Sequence, residues 1–342
     1  MVKVLSQKEF QEKIVTQYTD VIGEKLGGKV LKFSDEWFAE AENLIKPKAP
    51  IFDANKFVPA GKWYDGWETR RHNTEEADYV IIKMGVASAK LIGCEIDTAF
   101  FNGNHAPHIS VEAVSLGDDE GIESLPDSKW ESVIPKTECG PSQKHFFVRD
   151  SITETNYTHA RLRMYPDGGI ARFRLYGSVV PILPSDSTTI LDMASVLNGG
   201  VAIDRSDQHF GTADNLLLPG RGHDMGDGWE TKRSREPGHV DWVVIRLGAL
   251  TKISSVLVDT LHFRGNFPQK INVKAIKVAN DKDVPRFDSD KWDLLVGDSK
   301  TGPDKELEFK VSGDKVYSHV LFTMIPDGGV KRVRVFGNIV SN

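Results

Sequence analysis

The segment Asp65-Gly66-Trp67-Glu68-Thr69-Arg70-Arg71 recurs later in the chain as Asp227-Gly228-Trp229-Glu230-Thr231-Lys232-Arg233. The two copies differ only where Lys232 takes the place of Arg70. A match that includes tryptophan together with acidic and basic residues indicates an internal repeat. An internal repeat strongly constrains the fold.

Two further blocks recur in the same order and at a nearly constant offset. Asp97-Thr98-Ala99-Phe100-Phe101-Asn102-Gly103-Asn104 returns as Asp259-Thr260-Leu261-His262-Phe263-Arg264-Gly265-Asn266. Pro166-Asp167-Gly168-Gly169 returns as Pro326-Asp327-Gly328-Gly329. Several blocks in one order at a nearly constant offset indicate that the whole chain is duplicated.

The duplication predicts two domains, residues 1–183 and 184–342. The copies are joined by Val180-Pro181-Ile182-Leu183-Pro184-Ser185-Asp186-Ser187. Its prolines lack a backbone donor and its small polar residues favour extended or turn structure, so we place the boundary near Pro184. The first copy also carries a short insertion around residues 48–62.

Within each copy the apolar residues recur with a period of two. Residues 109–113 alternate between apolar and polar side chains, as do residues 271–275, 172–175 and 332–335. This alternation is typical of strands with one buried face. Many short strands with glycine-rich turns predict an all-β protein made of two tandem jelly-roll sandwiches.

Helical patterns are scarce in this sequence. Apolar residues between Gln7 and Lys25 fall on one stripe, which predicts a short N-terminal helical segment. Ser34 and Ser206 are of the type that caps helices, so a short helix is expected after each of them.

Composition narrows the function classes. The 342 residues include 43 Lys plus Arg and 49 Asp plus Glu, for a net charge of −6, which disfavours nucleic-acid binding. No apolar run approaches the roughly 20 residues that span a bilayer, and the N-terminus lacks the apolar core of a secretion signal. The two cysteines, Cys94 and Cys139, suit a reducing cytosol, and we interpret both as structural thiols.

The repeated Gly-Trp-Glu-Thr-x-Arg sequence allows two interpretations. In the structural one, tryptophan fills the core and the glutamate pairs with the arginine at the surface. In the functional one, Glu230 is a general acid or base and Arg233 binds an anionic ligand. Common catalytic signatures, such as a nucleophile elbow or a phosphate-binding loop, are absent.

His262 is the most informative difference between the copies, because Phe100 holds its place in the first. A role in the fold alone would not require a titratable side chain in one copy only. Asp259 lies among apolar neighbours and needs a partner to offset desolvation, for which Arg233 or His262 is expected. A metal site formed by His209, His223, His262 and Asp224 is disfavoured, since no pair has a diagnostic spacing.

These blocks, taken together from about Gly27 to Gly337, resemble the allantoicase family of purine breakdown. The strongest part is His223-Asp224-Met225-Gly226-Asp227-Gly228-Trp229-Glu230-Thr231 combined with the block that contains His262. In the first repeat, Pro59-Ala60-Gly61-Lys62-Trp63-Tyr64 replaces the segment that ends in His223-Asp224-Met225-Gly226 and precedes the repeated block. That departure, together with Phe100 in place of the histidine, disfavours a complete site in the first repeat.

The resemblance implies a hydrolase acting on C–N bonds of linear amidines, which converts allantoate to ureidoglycolate and urea. It implies two jelly rolls similar to galactose-binding or discoidin-like modules, a cytoplasmic homo-oligomer, and no cofactor, with dependence on a divalent metal left open. The expected catalytic residues are Glu230, His262 and Asp259. The expected substrate-binding residues are Arg233, Arg264, Asn266 and His223. The secondary candidates in the first repeat are Glu68, Arg71, Asp97 and Asn104.

Two other functions stay open on the sequence alone. A tandem discoidin-like protein could bind sugars or lipids through its loops without catalysis. In that case exposed arginines at 172, 174, 332 and 334 would form a face that binds an anionic ligand or contacts another subunit. A related hydrolase could cleave ureidoglycolate, which shares a carboxylate and one ureido group with allantoate. We therefore expect an enzyme with a small-molecule substrate and no nucleic-acid or membrane partner.

Overall fold

The computed structural model of this protein describes residues 2–117 and 121–340. Contacts divide the chain into two compact units, Met1–Pro181 and Ile182–Asn342. The sequence places the boundary at Pro184, close to this division. Among the described residues, no helix combines the length and the apolar character that crossing a bilayer would require.

The first unit contains two five-stranded antiparallel sheets. Its strands are β1 (Val2–Val4), β2 (Thr19–Asp20), β3 (Lys29–Phe33), β4 (Phe57–Val58), β5 (Gly61–Lys62), β6 (Trp67–Glu68), β7 (Asp78–Lys83), β8 (Ala89–Asp97), β9 (His108–Val114), β10 (Glu131–Glu138), β11 (Lys144–Arg149), β12 (His159–Tyr165), β13 (Gly169–Ile170) and β14 (Arg172–Val179). The strand orders are β1-β11-β8-β14-β2 and β10-β9-β12-β7-β3. The insertion around residues 48–62 contains the hairpin of β4 and β5.

The second unit repeats this arrangement. Its strands are β15 (Leu191–Asp192), β16 (Val201–Arg205), β17 (Trp229–Glu230), β18 (Asp241–Asp259), β19 (Lys270–Ile276), β20 (Asp293–Lys300), β21 (Glu306–Lys310), β22 (Tyr317–Ile325), β23 (Gly329–Val330) and β24 (Arg332–Ile339). The long strand β18 pairs with β22 mainly through its first part and with β24 through its last part. It thereby replaces the separate strands β7 and β8 and connects the two layers of the sandwich.

The period-two pattern is confirmed by burial. Ile109, Val111 and Ala113 on β9 are all buried, and Ile271, Val273 and Ala275 on β19 are buried in the same way. The tryptophans of the repeated block are also core residues, as the structural interpretation requires. Each indole Nε1 donates to a backbone carbonyl, Trp67 to Asp35 at 2.7 Å and Trp229 to Asp207 at 2.8 Å.

Helical structure is shorter than the pattern predicts. The helix α1 spans only Gln7–Phe10 and continues as one π-helical turn over Gln11–Val15, so the expected extension to Lys25 is wrong. The remaining helical pieces are 3₁₀ turns at Glu24–Leu26, Ala41–Ile45, Ile122–Ser124, Asp127–Lys129, Val196–Asn198, Ala213–Leu217, Met225–Asp227 and Asp281–Asp283.

Ser34 and Ser206 do not cap helices, which corrects the expectation from the sequence. Their hydroxyl groups donate instead to Asp78 at 2.6 Å and to Asp241 at 2.7 Å. Both partners are buried aspartates at the start of a strand. A serine that satisfies a buried carboxylate across a sheet cannot be told from a capping serine by local pattern alone.

The arginines of the terminal strands are not exposed, so the expected anion-binding face is wrong. Arg172 donates to the carbonyl oxygens of Lys48 and Asp65, and Arg332 to those of Gly220 and Asp227. Both side chains are buried. They hold loops against the ends of strands β14 and β24.

Asp20 links the start of the first sandwich to β14. Its carboxylate accepts a hydrogen bond from the backbone N–H of Leu175 at 3.1 Å and lies 3.7 Å from Arg174 Nε. The Asp20 side chain is 23% exposed. Burial raises the pKa of Asp20 to about 6, against the opposing charge of Arg174.

We expect Asp20→Asn to change how stability depends on pH. Because the folded-state pKa lies above the ordinary value, the contribution of Asp20 is fully present below about pH 4 and is lost as the pH rises through about 6. The variant should therefore gain up to about 3 kcal/mol relative to the natural chain as the pH rises from about 4 to about 7. Denaturant unfolding at several pH values measures this, and a difference that stays constant over the range would contradict it.

Candidate active site

The repeated blocks meet at one end of the second sandwich. Glu230 on β17 pairs with Gly329 on β23, and the N–H of Gly329 donates to the carbonyl of Asn266 at 2.7 Å. A Cβ on Gly329 would lie 2.0 Å from the ring of Phe263, so only glycine fits this close approach. Three segments far apart in sequence, one of them carrying Glu230, thus meet at this point.

The central contact of this region joins two predicted site residues. Asn266 Nδ2 donates to Glu230 Oε1 at 2.5 Å, and Asn104 makes the matching bond to Glu68 at 2.6 Å. Glu230 is only half-buried, whereas Glu68 is 8% exposed. The carboxylate in the second repeat is therefore more accessible to a ligand.

The carboxylate of Glu68 in the first repeat is affected by its burial. Desolvation raises the pKa of Glu68, while the hydrogen bond from Asn104 and the charge of Arg71 oppose the rise. Nearby, the ring of Tyr64 stacks on Phe101 with centroids 5.0 Å apart. Gly226 occupies the position of Tyr64 in the second repeat, which therefore lacks this aromatic bulk.

The two arginines of the repeated block have different surroundings. Arg71 donates to Asp167 Oδ1 at 3.0 Å and to the carbonyl of Gly103 at 3.0 Å. Arg233 is exposed, and within residues 2–117 and 121–340 it forms no ion pair. Its guanidinium is therefore available to an anionic ligand, whereas that of Arg71 is occupied.

Asp259 has a different partner from the one expected. Its carboxylate, 1% exposed, receives a bidentate pair of bonds from Arg221, at 2.7 Å from Nε and 2.8 Å from the terminal nitrogen. The backbone N–H of Leu261 donates to it as well, at 2.9 Å. Arg221, and neither Arg233 nor His262, offsets the desolvation of this charge. A role for Asp259 in orienting His262 stays a prediction.

His262 and Arg264 both lie beside Asp304. The N–H of His262 donates to Asp304 at 2.6 Å, and Arg264 Nε donates to the same carboxylate at 2.7 Å. These contacts hold the pKa of Asp304 below its ordinary value, with the backbone bond contributing most. His262 has a φ of 68°, close to the 70° of Phe100, so the two repeats share this turn. Arg264 is 78% exposed and open to solvent.

Comparison with known proteins decides the family. A model described as the allantoicase repeat matches residues 19–180 and 191–340. The chain is 58% identical to allantoicase from Saccharomyces cerevisiae over 335 residues, 97% of each protein. It is 56% identical to allantoicase from Neurospora crassa, covering 93% of this chain and 90% of the relative.

The chain belongs to the allantoicase family. Its fold agrees with the crystal structure of allantoicase from Saccharomyces cerevisiae, with a TM-score of 0.88 and 56% identity over 98% of this chain and 100% of the other. The family resemblance inferred from the repeated blocks and the two jelly-roll repeats are thus both confirmed.

His223 lies in the segment that distinguishes the two repeats of this allantoicase. It is exposed, and its backbone N–H donates to Asp227 Oδ2 at 3.0 Å. The residue is therefore accessible, and a contact with substrate stays a prediction. Among the described residues, no group of three or more His, Cys, Asp or Glu side chains could hold a metal ion, so His209, His223, His262 and Asp224 are not brought together as ligands.

Sequence reasoning missed three residues that shape this part of the allantoicase fold. They are Arg221, which binds Asp259, and Asp227 and Lys331, which contact each other. A signal for Lys331 is present in the sequence, because the matching residue of the first repeat is Ala171. A difference inside a block that is otherwise repeated is the same kind of signal that identified His262.

A cavity of about 680 Å³ lies elsewhere, in the first repeat of this allantoicase. Arg71 is the one predicted site residue that lines it. Its arginines, including Arg161 and Arg163, are paired with carboxylates of the same unit. The arginines that line the cavity are therefore already paired, and the candidate catalytic glutamates Glu68 and Glu230 are not among its lining residues.

Proposed function

We propose that the second repeat carries the active site of this allantoicase, which hydrolyses allantoate to ureidoglycolate and urea. The observation that carries the proposal is the contact between Glu230 and Asn266 in a half-buried position. Arg233 in the same repeated block forms no ion pair with any residue that the structure describes. The first repeat retains the glutamate and asparagine but buries the glutamate and occupies its arginine.

The reaction breaks a C–N bond at the carbon that bears the carboxylate and both ureido groups. The nitrogen of the remaining ureido group donates its electron pair to that carbon while an acid protonates the leaving nitrogen, and urea departs. Water then adds to the resulting acyl-iminium carbon and loses a proton to a base, which gives ureidoglycolate. Glu230 and His262 are the proposed acid and base, and each contributes roughly 10² to 10⁴ to the rate.

Asn266 has a second role in this proposal. Its Nδ2 is engaged by Glu230, so its Oδ1 is the atom that would accept an N–H of a ureido group. Arg264 and His223 are exposed at the same end of the sandwich and are proposed to contact substrate. Asp259, bound to Arg221, is proposed to act by holding the segment that begins at the end of β18.

Arg233 is proposed to bind the carboxylate of allantoate. Arg233→Gln should therefore lower kcat/KM by about 10- to 100-fold, mainly through a higher KM, because each hydrogen bond between charged groups contributes about 1.5–3 kcal/mol. Arg235→Gln, which alters another exposed arginine two residues away, is the matched control and should leave both constants unchanged. Equal effects of the two substitutions on KM would show that Arg233 acts only through general surface charge.

We also propose a cytoplasmic location, assembly as a homo-oligomer, and catalysis without a cofactor. Both cysteines are free and buried, and burial raises the pKa of Cys139 to about 12, which suits thiols that are kept reduced. Acid–base cleavage of this kind uses groups that the chain itself supplies. Size measurement in solution, and activity after treatment with a chelator, test the assembly and the cofactor proposals.

The decisive assay is urea release from the purified protein. Allantoate should give one urea per ureidoglycolate formed, while ureidoglycolate and allantoin should give none under the same conditions. Aliquots treated with a chelator, and aliquots supplied with Mn²⁺ or Zn²⁺, would reveal metal dependence. Turnover of ureidoglycolate alone would favour the related hydrolase, and silence on every substrate would favour a binding protein.

A further inference from the structure

Lys331 is a fully buried lysine in the second repeat. It lies between β23 and β24, and its side chain is 0% exposed. Its ammonium group contacts the carboxylate of Asp227 and the carbonyl oxygen of Asp224. Burying a charge of this kind is costly unless its partners are well placed, so the arrangement calls for an explanation.

The loop that contains both partners is wrapped closely around the lysine. Gly222 has a φ of 72°, and a Cβ there would lie 2.3 Å from Asp227 Oδ2 and 2.5 Å from Lys331 Cε. Asp227 Oδ2 in turn accepts the N–H of His223 at 3.0 Å. The path of residues 222–227 is therefore held by this ion pair together with Arg332, which donates to the carbonyl of Asp227.

The same loop reaches the glutamate of the proposed site. Asp224 accepts the N–H of Gly226 at 2.7 Å and so caps the 3₁₀ turn Met225–Asp227. The sulfur of Met225 lies 3.9 Å from Asn266 Nδ2, the atom that also donates to Glu230. A continuous set of contacts thus leads from Lys331 to the carboxylate of Glu230.

The first repeat shows that the fold does not need this lysine. Ala171 takes its place, and the matching aspartate, Asp65, is satisfied by Arg172 and by the N–H of Ile51, each at 2.9 Å. In the first repeat the aspartate is therefore paired, and its loop is held, without a buried ammonium group. The lysine is present only in the repeat whose glutamate is accessible.

We propose that Lys331 is a positioning residue for catalysis: its ion pair with Asp227 holds the loop 222–227 in the geometry that sets Asn266 against Glu230. This inference rests on the proposed function, in which the second repeat carries the active site. The lysine does not contact the substrate. Small displacements of a catalytic group are enough to lower turnover by about 10²-fold.

The test separates positioning from stability by removing the ion pair in two ways. Lys331→Met removes the ammonium group that contacts Asp227 and leaves the guanidinium of Arg332 3.8 Å from the carboxylate, so it should lower both the Tm and kcat. Lys331→Met combined with Asp227→Asn removes both charges and keeps an acceptor for His223, so the Tm should recover. We expect kcat for allantoate to stay about 10- to 100-fold low in this double variant, with KM within about threefold of the natural value.

Recovery of kcat together with the Tm would overturn the inference, because the pair would then serve only the fold. Lys331→Gln, which keeps a donor and removes the charge, replaces the methionine variants if they do not fold, and natural turnover in it would equally overturn the inference. Lys315→Met is the control, since Lys315 forms an exposed pair with Asp293 at 2.7 Å in the same repeat, and it should change neither quantity. Glu230→Gln, measured in parallel, tests the proposed function separately: if it retains turnover the site itself is misplaced, whatever the Lys331 variants do.

Discussion

Glu230→Gln is expected to lower kcat for allantoate by about 10² to 10⁴, the range over which a positioned acid or base contributes to a rate. Glutamine keeps an oxygen that can accept the bond from Asn266 Nδ2, so the contact that orients the side chain can survive. It cannot hold or release the proton that the leaving nitrogen requires. Initial rates of urea release at saturating allantoate measure the effect, and circular dichroism checks that the fold is intact.

Glu68→Gln in the first repeat is the matched comparison. Glu68 makes the same contact with Asn104, but it is buried and its arginine neighbour is occupied by Asp167. We expect nearly natural turnover from this variant. A loss of about half the activity would indicate two working sites, and a complete loss confined to Glu68→Gln would place catalysis in the first repeat.

His262→Phe is the second substitution with a large expected effect, a loss of at least about 10² in kcat from removal of an acid or base. Phenylalanine is a suitable replacement because Phe100 occupies the matching position with nearly the same φ, so the backbone tolerates it. The N–H that donates to Asp304 is retained. Steady-state kinetics and a thermal unfolding curve together show whether chemistry has been lost without a loss of stability.

Phe100→His provides the reciprocal control for this prediction. It introduces the same titratable group at the same turn of the first repeat, where Phe100 packs against Phe52 with ring centroids 5.5 Å apart. We expect no gain in turnover, because the first repeat has no counterpart of the segment His223-Asp224-Met225-Gly226. Near-natural turnover in His262→Phe would remove His262 from the catalytic residues and leave Glu230 as the single acid and base.

Features that recur locally were predictable from the sequence. Residues 109–113 and 271–275, whose side chains alternate between apolar and polar, lie in strands β9 and β19. Successive side chains of a strand point to opposite faces, so a strand places all the apolar side chains of such a pattern on one face. The Asp-Gly-Gly turns also follow from composition, since Gly168 and Gly328 have φ values of 144° and 142°, which glycine adopts readily.

Features that depend on distant partners were not predictable in the same way. The apolar pattern after Gln7 continues past the end of the helix because Val21 and Ile22 are buried although they lie in a turn. The arginines at 172 and 332 are buried rather than exposed because loops far along the chain present carbonyl oxygens to them. The local sequence pattern can show that a buried charged side chain needs a partner, but it does not show which residue that partner is.

The sequence by itself determined the duplication, the β-rich class, the family, and the residues Glu230 and Asn266 that the fold brings together. It did so because these features are carried by repeated blocks and by short-range periodicity. Only the tertiary structure decided that Arg221 binds Asp259 and that Lys331 is buried against Asp227. It also decided that Arg71 is paired, whereas Arg233 forms no ion pair within the described part of the chain. Each of these facts depends on which charged groups meet across loops, and burial makes that choice by requiring a partner for every charge it removes from water.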